Sequence, residues 1–208
     1  MSEFYIVGGG GHARVLLYAL KQLGHRVGGY TAPRDGGSSM AIPFLGSDAV
    51  FLDRDAPLPR LAVLGLGKLA NGRQRLELLE RYQAHGFDFP VLHTLRATVH
   101  DDVSSGAGSV ILDGAVVITG SRLGRACIVN TNATVDHDCV LGDDVHVASG
   151  ATLSGGVVVG DRCMIGTGAN LIHAVRLCAD SLIGAGATVV HDITTPGTYV
   201  GTPARRIA

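Results

Sequence analysis

An aliphatic residue recurs at every sixth position of this chain from Val99 to Val189. Fifteen of these sixteen positions hold Val, Ile or Leu, Ser105 is the exception, and the residue two places earlier is small or β-branched each time. An α-helix turns about 100° per residue, so a period of six would spread these side chains around it. Because residues two apart share one face of a strand, each hexad is predicted to be a short strand followed by a bend.

Three hexads make an 18-residue coil of triangular section, and coils that stack through parallel backbone ladders form a hexapeptide parallel β-helix. The run gives five coils, a prism of roughly 24 Å at about 4.8 Å per coil. The composition agrees, because residues 93–198 contain no Phe, Tyr or Trp and residues 91–195 contain no Pro. A narrow interior has no room for rings, and a proline would remove a ladder hydrogen bond.

The first ninety residues differ in composition, since they hold all five Phe and four of the five Tyr. Apolar patterns there predict strands at 4–7, 26–31 and 61–64, a helix that ends before Gly24 and a helix over 71–85. Such alternation implies a small parallel sheet of βαβ units. We therefore predict a Rossmann-like α/β domain over residues 1–92 and an all-β helix with a short C-terminal tail over residues 93–208.

Charge and hydropathy exclude several classes of partner. The net charge of −1 comes without a basic cluster, so no nucleic-acid footprint is present, and no apolar run suits a membrane span or an export signal. The four cysteines match no zinc-binding spacing, and they are predicted to be small core residues in a reducing compartment. The sequence thus predicts a cytoplasmic protein.

A glycine-rich turn, Gly8 to His12, separates the first predicted strand from the first predicted helix. Such a turn brings backbone N–H groups and a helix N-terminus against an anion. The acidic residue that a dinucleotide site places about 20 residues later is missing, because the second strand ends in Thr31-Ala32-Pro33. The turn is therefore interpreted as a phosphate or nucleotide-sugar site, with a purely structural turn as the alternative.

The densest group of polar residues surrounds His137, which lies two places after the inward-facing Val135 and so points outward at a bend. A carboxylate beside a histidine fixes its tautomer and stabilises the imidazolium, as a general base requires. Asp136 and Asp138 are both adjacent, and spacing does not choose between them. His146 lies half a coil away, so the two histidines could meet only across a groove between neighbouring prisms, which predicts a closed ring of three chains.

His137, His173 and His191 fall in one column of the predicted prism, which raises the alternative of a metal site, because γ-class carbonic anhydrases bind metal through histidines on such a prism. Those enzymes need a third ligand about five residues after the second histidine, where this chain has Cys178. No other histidine pair supplies three ligands, so no metal site is predicted.

Several segments together resemble a known family: the bacterial nucleotide-sugar N-acetyltransferases and sialic-acid O-acetyltransferases, which join a small α/β domain to a left-handed β-helix. The segments that carry the resemblance are GGGGH at 8–12, IPFLGS at 42–47, NTNATVDHDCVLG at 130–142, residues 146–155 and GTPAR at 201–205. Left-handed coiling is implied by the resemblance alone, since parallel crossovers are otherwise right-handed.

The resemblance also implies roles for individual residues. His137 would be the catalytic base, Asp138 would raise its basicity, and Asn130 would line the same pocket. The remaining positions would bind ligands: acetyl-CoA at His146, Gly155 and Thr167, and the nucleotide sugar at Gly10, Gly11 and His12. Two stretches that face substrate in relatives depart from the pattern, at Thr31-Ala32-Pro33 and at Gly65-Leu66-Gly67-Lys68.

The leading hypothesis is an acetyl-CoA-dependent N-acetyltransferase that acts on a nucleotide-linked 4-amino sugar for a surface glycan, as a homotrimer and without a metal. One alternative is an O-acetyltransferase of sialic-acid-like sugars. An alternative from another class is a non-catalytic trimeric scaffold that binds sugars.

Overall fold

The computed structural model describes residues 2–35, 39–52, 60–68 and 72–207. The chain divides into two compact units, one of Met1–Gly67 and Glu77–Pro90 and the other of Lys68–Leu76 and Val91–Ala208. No helix in the described part of the chain is both long and apolar enough to cross a membrane.

The first unit contains a parallel sheet of four strands in the order β2-β1-β3-β4. The elements of this part of the chain are β1 (Glu3–Val7), α1 (Gly11–Gln22), β2 (Arg26–Thr31), α2 (Asp48–Leu52), β3 (Arg60–Leu64), α3 (Gln74–Ala84) and β4 (Phe87–Asp88). The parallel sheet is therefore present, with β4 as a fourth strand that the sequence pattern did not separate. The predicted start of α3 at residue 71 lies outside the described residues.

Apolar side chains fix the packing of β1 against α1. Ile6 in β1 and Leu16 and Leu20 in α1 have no exposed surface. The helical spacing of Leu16 and Leu20 puts both on one face, toward the sheet. Gly24, which follows the helix, adopts a φ of 77°, a left-handed conformation that glycine accepts without strain and that commonly ends helices.

The second unit is a three-sided solenoid of short strands. Its strands are β5 (Leu92–His93), β6 (Thr98–Val99), β7 (Ser104–Ser105), β8 (Val110–Ile111), β9 (Val116–Val117), β10 (Arg122–Leu123), β11 (Ile128–Val129), β12 (Thr134–Val135), β13 (Val140–Leu141), β14 (His146–Val147), β15 (Thr152–Leu153), β16 (Val158–Val159), β17 (Met164–Ile165), β18 (Asn170–Leu171), β19 (Arg176–Leu177), β20 (Ser181–Ile183), β21 (Thr188–Val189), β22 (Gly197–Val200) and β23 (Arg205–Arg206). They form three faces of five, eight and six strands. Each strand from β6 to β21 ends on a position of the six-residue repeat, so the predicted solenoid and its register are confirmed.

From β5 to β21, strands on one face pair in parallel with strands eighteen residues away. Val135, for example, pairs with Val117 below and Leu153 above, and all three are fully buried. The bends between faces use left-handed backbone, as at Asp138 with a φ of 58°. At this bend the Asp138 N–H donates to the Thr119 carbonyl of the preceding coil at 3.0 Å.

The solenoid has about six turns where the aliphatic repeat predicts five coils. It begins one hexad earlier than the run, because His93 in β5 already pairs with Ile111, and a histidine at that position hides the repeat. It continues after Val189 with a shorter coil, since Leu177 bridges to Ile193, sixteen positions away rather than eighteen. This deletion ends the six-residue period although the fold goes on.

Three of the four cysteines fill inner positions of the solenoid, as predicted. Cys127, Cys139 and Cys163 are fully buried, and each thiol donates to a carbonyl oxygen at 3.1–3.3 Å. Burial raises the pKa of Cys127 to about 12 and that of Cys163 to about 11. These thiols therefore stay protonated and act as small packing groups.

The segment Lys68–Leu76 belongs to the solenoid unit, although the sequence analysis placed it in a first domain of residues 1–92. The physical reason is electrostatic, because Lys68 and Arg75 both pair with Asp144 of the solenoid. A boundary drawn from composition could not detect a charge pairing across 76 positions.

Candidate active site

His137 lies at the bend after β12 and is held by the two aspartates beside it. Its ring Nδ1 is 2.8 Å from Oδ2 of Asp138, whereas Asp136 accepts a hydrogen bond from the His137 backbone N–H at 2.7 Å. The ring partner is therefore Asp138, the choice that spacing left open. The hydrogen bond to Asp138 raises the pKa of His137, and the side chain is 56% exposed.

Gly155 makes room for this imidazole. It lies eighteen residues after His137, one coil further along the solenoid, and a Cβ at Gly155 would come within 3.0 Å of three atoms of the His137 ring. The neighbouring Gly156 N–H donates to the His137 carbonyl at 2.8 Å. The absence of a side chain at Gly155 therefore sets the position of the ring.

Asn130 and His146 form a second group. Nδ1 of His146 is 2.8 Å from the Lys68 carbonyl oxygen, and Nε2 is 3.1 Å from Nδ2 of Asn130. A carbonyl oxygen can only accept, so Nδ1 carries the proton and Nε2 accepts from the Asn130 amide. His146 is 7% exposed, and burial lowers its pKa to about 4, which keeps the ring neutral at physiological pH.

The two histidines lie in different parts of the coil. His146 belongs to β14 in the eight-stranded face, while His137 follows β12 of the six-stranded face. Thr167 is exposed at the bend after β17, which pairs directly with β14. Thr167 therefore lies at the bend that ends the face of His146, whereas His137 and Asp138 lie at the bend that ends the six-stranded face.

The residues predicted to bind the nucleotide sugar lie at the start of α1. Gly10 and Gly11 are exposed, His12 is half-buried, and Gly10 is the N-cap residue of α1 without a capping side chain. A side chain added at Gly10 would meet open space. Backbone amides at this helix end are therefore accessible to an anion.

Each of the two stretches expected to face substrate contains a buried polar side chain. The Thr31 hydroxyl is 2.7 Å from Asp48 Oδ1 and 2.9 Å from the Tyr82 hydroxyl, and Thr31 is 1% exposed. Lys68 is 5% exposed and donates to Asp144 Oδ2 at 2.7 Å. Both side chains are committed to internal hydrogen bonds, whereas Pro33 and Gly67 of the same stretches are exposed.

Lys68, Arg75 and Asp144 form a buried charged cluster that no motif or spacing in the sequence indicates. Arg75 Nε is 3.2 Å from Asp144 Oδ1, and Arg75 Nη2 donates to the Ala126 carbonyl at 3.1 Å. Burial raises the pKa of Asp144, and this effect exceeds the lowering of the pKa by the two neighbouring cations. Among the described residues, no group of three or more His, Cys, Asp or Glu side chains could hold a metal ion.

No protein-family model and no curated protein matches this chain, but solved structures match it over almost its whole length. The acetyltransferase domain of PglB from Neisseria gonorrhoeae FA1090 is 35% identical, with a TM-score of 0.92 and 99% of each chain covered. A variant of perosamine N-acetyltransferase from Caulobacter crescentus, in complex with CoA and GDP-perosamine, is 30% identical, with a TM-score of 0.90 and coverage of 99% of this chain and 96% of that one. WeeI from Acinetobacter baumannii AYE, at 22% identity and a TM-score of 0.85, shows the shared fold alone.

A three-sided solenoid with these relatives defines the class of hexapeptide-repeat acyltransferases. The chain belongs to the family of left-handed β-helix acyltransferases that includes the nucleotide-sugar N-acetyltransferases, and it is an acetyltransferase. The family resemblance that its motifs indicate is thereby confirmed.

Proposed function

We propose that this protein transfers an acetyl group from acetyl-CoA to the amino group of a nucleotide-linked 4-amino sugar used in a surface glycan. The observation that carries the proposal is the exposed His137 imidazole, held by Asp138 at a solenoid bend. Two relatives that match 99% of this chain support it: a PglB acetyltransferase domain in complex with acetyl coenzyme A, and a perosamine N-acetyltransferase with CoA and GDP-perosamine.

In the proposed reaction His137 is the general base. As the sugar nitrogen attacks the thioester carbonyl carbon, Nε2 of His137 accepts the proton that the nitrogen loses, and the C–S bond then breaks. Coenzyme A leaves as a thiolate, whose conjugate acid has a pKa of about 8.5, so it departs readily. The Asp138 carboxylate holds Nδ1–H and stabilises the imidazolium formed at His137.

The acetyl-CoA site is proposed at His146, Gly155 and Thr167, and Asn130 is proposed to line the pocket of the catalytic base. A backbone N–H near Gly155 would stabilise the oxyanion, although the Gly156 N–H already donates to the His137 carbonyl. With Nδ1–H of His146 committed to the Lys68 carbonyl, His146 would act as a neutral, fixed group rather than as a second base.

The first unit is proposed as a Rossmann-like domain that binds the nucleotide sugar. Gly10, Gly11 and His12 at the start of α1 would contact it, because exposed backbone amides and the helix dipole favour phosphate. We further propose a homotrimer in the cytoplasm, with His137 facing a cleft shared by neighbouring chains, since flat solenoid faces suit closure into a ring.

A thiol-release assay tests the reaction directly. Acetyl-CoA is supplied with UDP-, GDP- and dTDP-linked 4-amino sugars, with the matching 4-hydroxy sugars as controls, and with free sialic acid. We expect turnover on at least one amino sugar and none on its hydroxy control. Turnover on free sialic acid alone would establish O-acetylation, and binding of a nucleotide sugar without any turnover would favour the scaffold.

The acidic limb of the pH profile depends on Asp138. The base works only when His137 is neutral, so kcat/KM should fall as the pH drops through the raised pKa of His137. In Asp138→Asn this pKa moves down toward its ordinary value of about 6.5, and the limb moves to lower pH. The plateau should fall roughly tenfold or more, because the ring loses its orienting carboxylate.

Profiles of kcat/KM against pH for both proteins measure this shift. Asp136→Asn is the matched control, because Asp136 contacts the backbone of His137 and not its ring, and its limb should move less. If the acidic limb of Asp138→Asn lies at the same pH as that of the unaltered protein, Asp138 does not set the pKa of the catalytic base.

A further inference from the structure

The buried charges of the solenoid unit are connected to the Asn130–His146 group by a continuous chain of contacts. Asp144 lies two residues before His146, at a bend with a φ of 54°, and it is 1% exposed. Its two carboxylate oxygens face Lys68 Nζ at 2.7 Å and Arg75 Nε at 3.2 Å. The side chain of one bend residue, Asp144, thus holds both Lys68 and Arg75.

The same segment delivers a backbone acceptor to the histidine. With Lys68 Nζ held by Asp144 and by the Gly72 carbonyl at 3.3 Å, the Lys68 carbonyl oxygen meets Nδ1 of His146 at 2.8 Å. That contact places the proton on Nδ1 and leaves Nε2 as the acceptor for Asn130. Oδ1 of Asn130 in turn accepts from the Thr131 N–H at 2.8 Å, so both ends of the amide are fixed.

We propose that Asp144, Lys68 and Arg75 are positioning residues: their buried ion pairs fix the Nδ1–H tautomer of His146 and, through it, the orientation of the Asn130 amide. The catalytic consequence rests on the proposed function, which places Asn130 in the pocket of the catalytic base and His146 beside acetyl-CoA. The fixing of the tautomer does not depend on it.

Packing alone does not account for these charges. A buried ion pair is often no more stabilising than apolar residues of similar volume, because removing charges from water offsets their attraction. An apolar cluster could anchor the segment but would set the direction of the Lys68 carbonyl less strictly. The paired charges give this carbonyl one orientation, and a histidine tautomer is determined by the hydrogen bond at its other nitrogen.

The primary test is Asp144→Asn, with Asp143→Asn as the matched control. Asparagine tolerates the left-handed backbone of this bend, and Asp143 pairs with Arg125 instead of Lys68. The tautomer of His146 is read from the nitrogen chemical shifts of ¹⁵N-histidine-labelled protein, with the His146 signals identified by their loss in His146→Gln. We expect the single Nδ1–H form in the unaltered protein and in Asp143→Asn, and a mixture of tautomers in Asp144→Asn.

Kinetics on the same proteins measure the consequence for transfer. In Asp144→Asn we expect kcat to fall roughly 10- to 100-fold, the loss typical when the partner of a site residue is removed, with the KM for the nucleotide sugar within about twofold. If Asp144→Asn does not fold, Lys68→Met replaces it, because Arg75 still neutralises Asp144 there, and the same change of tautomer is expected.

The possible outcomes test the inference, its catalytic consequence and the proposed function separately. An unchanged tautomer in a folded Asp144→Asn or Lys68→Met protein overturns the inference, whatever the activity. A tautomer mixture with unchanged kcat overturns the catalytic consequence. A protein that transfers acetyl to no nucleotide sugar refutes the proposed function, while the nitrogen shifts still decide whether the cluster fixes His146.

Discussion

His137→Ala is expected to lower kcat by roughly 10² to 10⁴, the range for loss of a general base. The exposed ring has one nitrogen held by Asp138, which leaves Nε2 to receive the proton of the attacking amine. Removing the ring leaves the binding residues in place, so the KM values should change far less than kcat. Steady-state rates of thiol release with acetyl-CoA and the preferred amino sugar provide the measurement.

His191→Ala is the matched control for this variant. His191 occupies the same column of bends as His137 and is also exposed, so its removal should leave kcat unchanged. Equal rates for His137→Ala and the unaltered protein would remove His137 from the mechanism. Equal losses in the two variants would point to a general effect of removing an exposed histidine.

Gly155→Ala is expected to lower kcat by roughly 10², because displacing a catalytic group by about 1 Å can cost that much. The backbone at Gly155 lies outside the left-handed region, so alanine is compatible with its conformation, but the added Cβ would come within 3.0 Å of three atoms of the His137 ring. The ring must therefore turn away from the position that Asp138 sets. The measurement is kcat for the folded variant, with its stability checked by thermal unfolding.

A double-mutant cycle separates this effect from a general disturbance of the coil. If Gly155→Ala acts only by moving the ring, it should change kcat very little in protein that already carries His137→Ala. A full hundredfold loss in that background as well would show that Gly155 acts elsewhere, for example on acetyl-CoA.

The six-residue repeat predicts the solenoid down to the register of single strands, because the information is local. A side chain at Val135 or Leu153 faces inward for a reason visible within a few residues of sequence. The repeat does not predict the two ends of the solenoid. His93 breaks the aliphatic pattern at the start, and the shortened coil between Leu177 and Ile193 breaks the spacing at the end.

The candidate site is predicted only in part. The sequence places His137 outward at a bend between two aspartates, but the choice of Asp138 depends on the left-handed backbone of that residue. The acceptor for Nδ1 of His146 is the carbonyl oxygen of Lys68, 78 positions earlier. No periodic pattern carries a pairing of that kind, so the buried contacts of Lys68 could not be predicted.

The eighteen-residue pairing of the coils has a consequence for how such a chain can change in length. Duplicating or deleting one whole turn would return every following side chain to its former face, and only one new junction between coils would need to fit. Adding a single residue inside a strand would instead turn inward-facing valines to solvent and polar neighbours to the interior. This half of the protein can therefore lengthen or shorten readily only by complete turns.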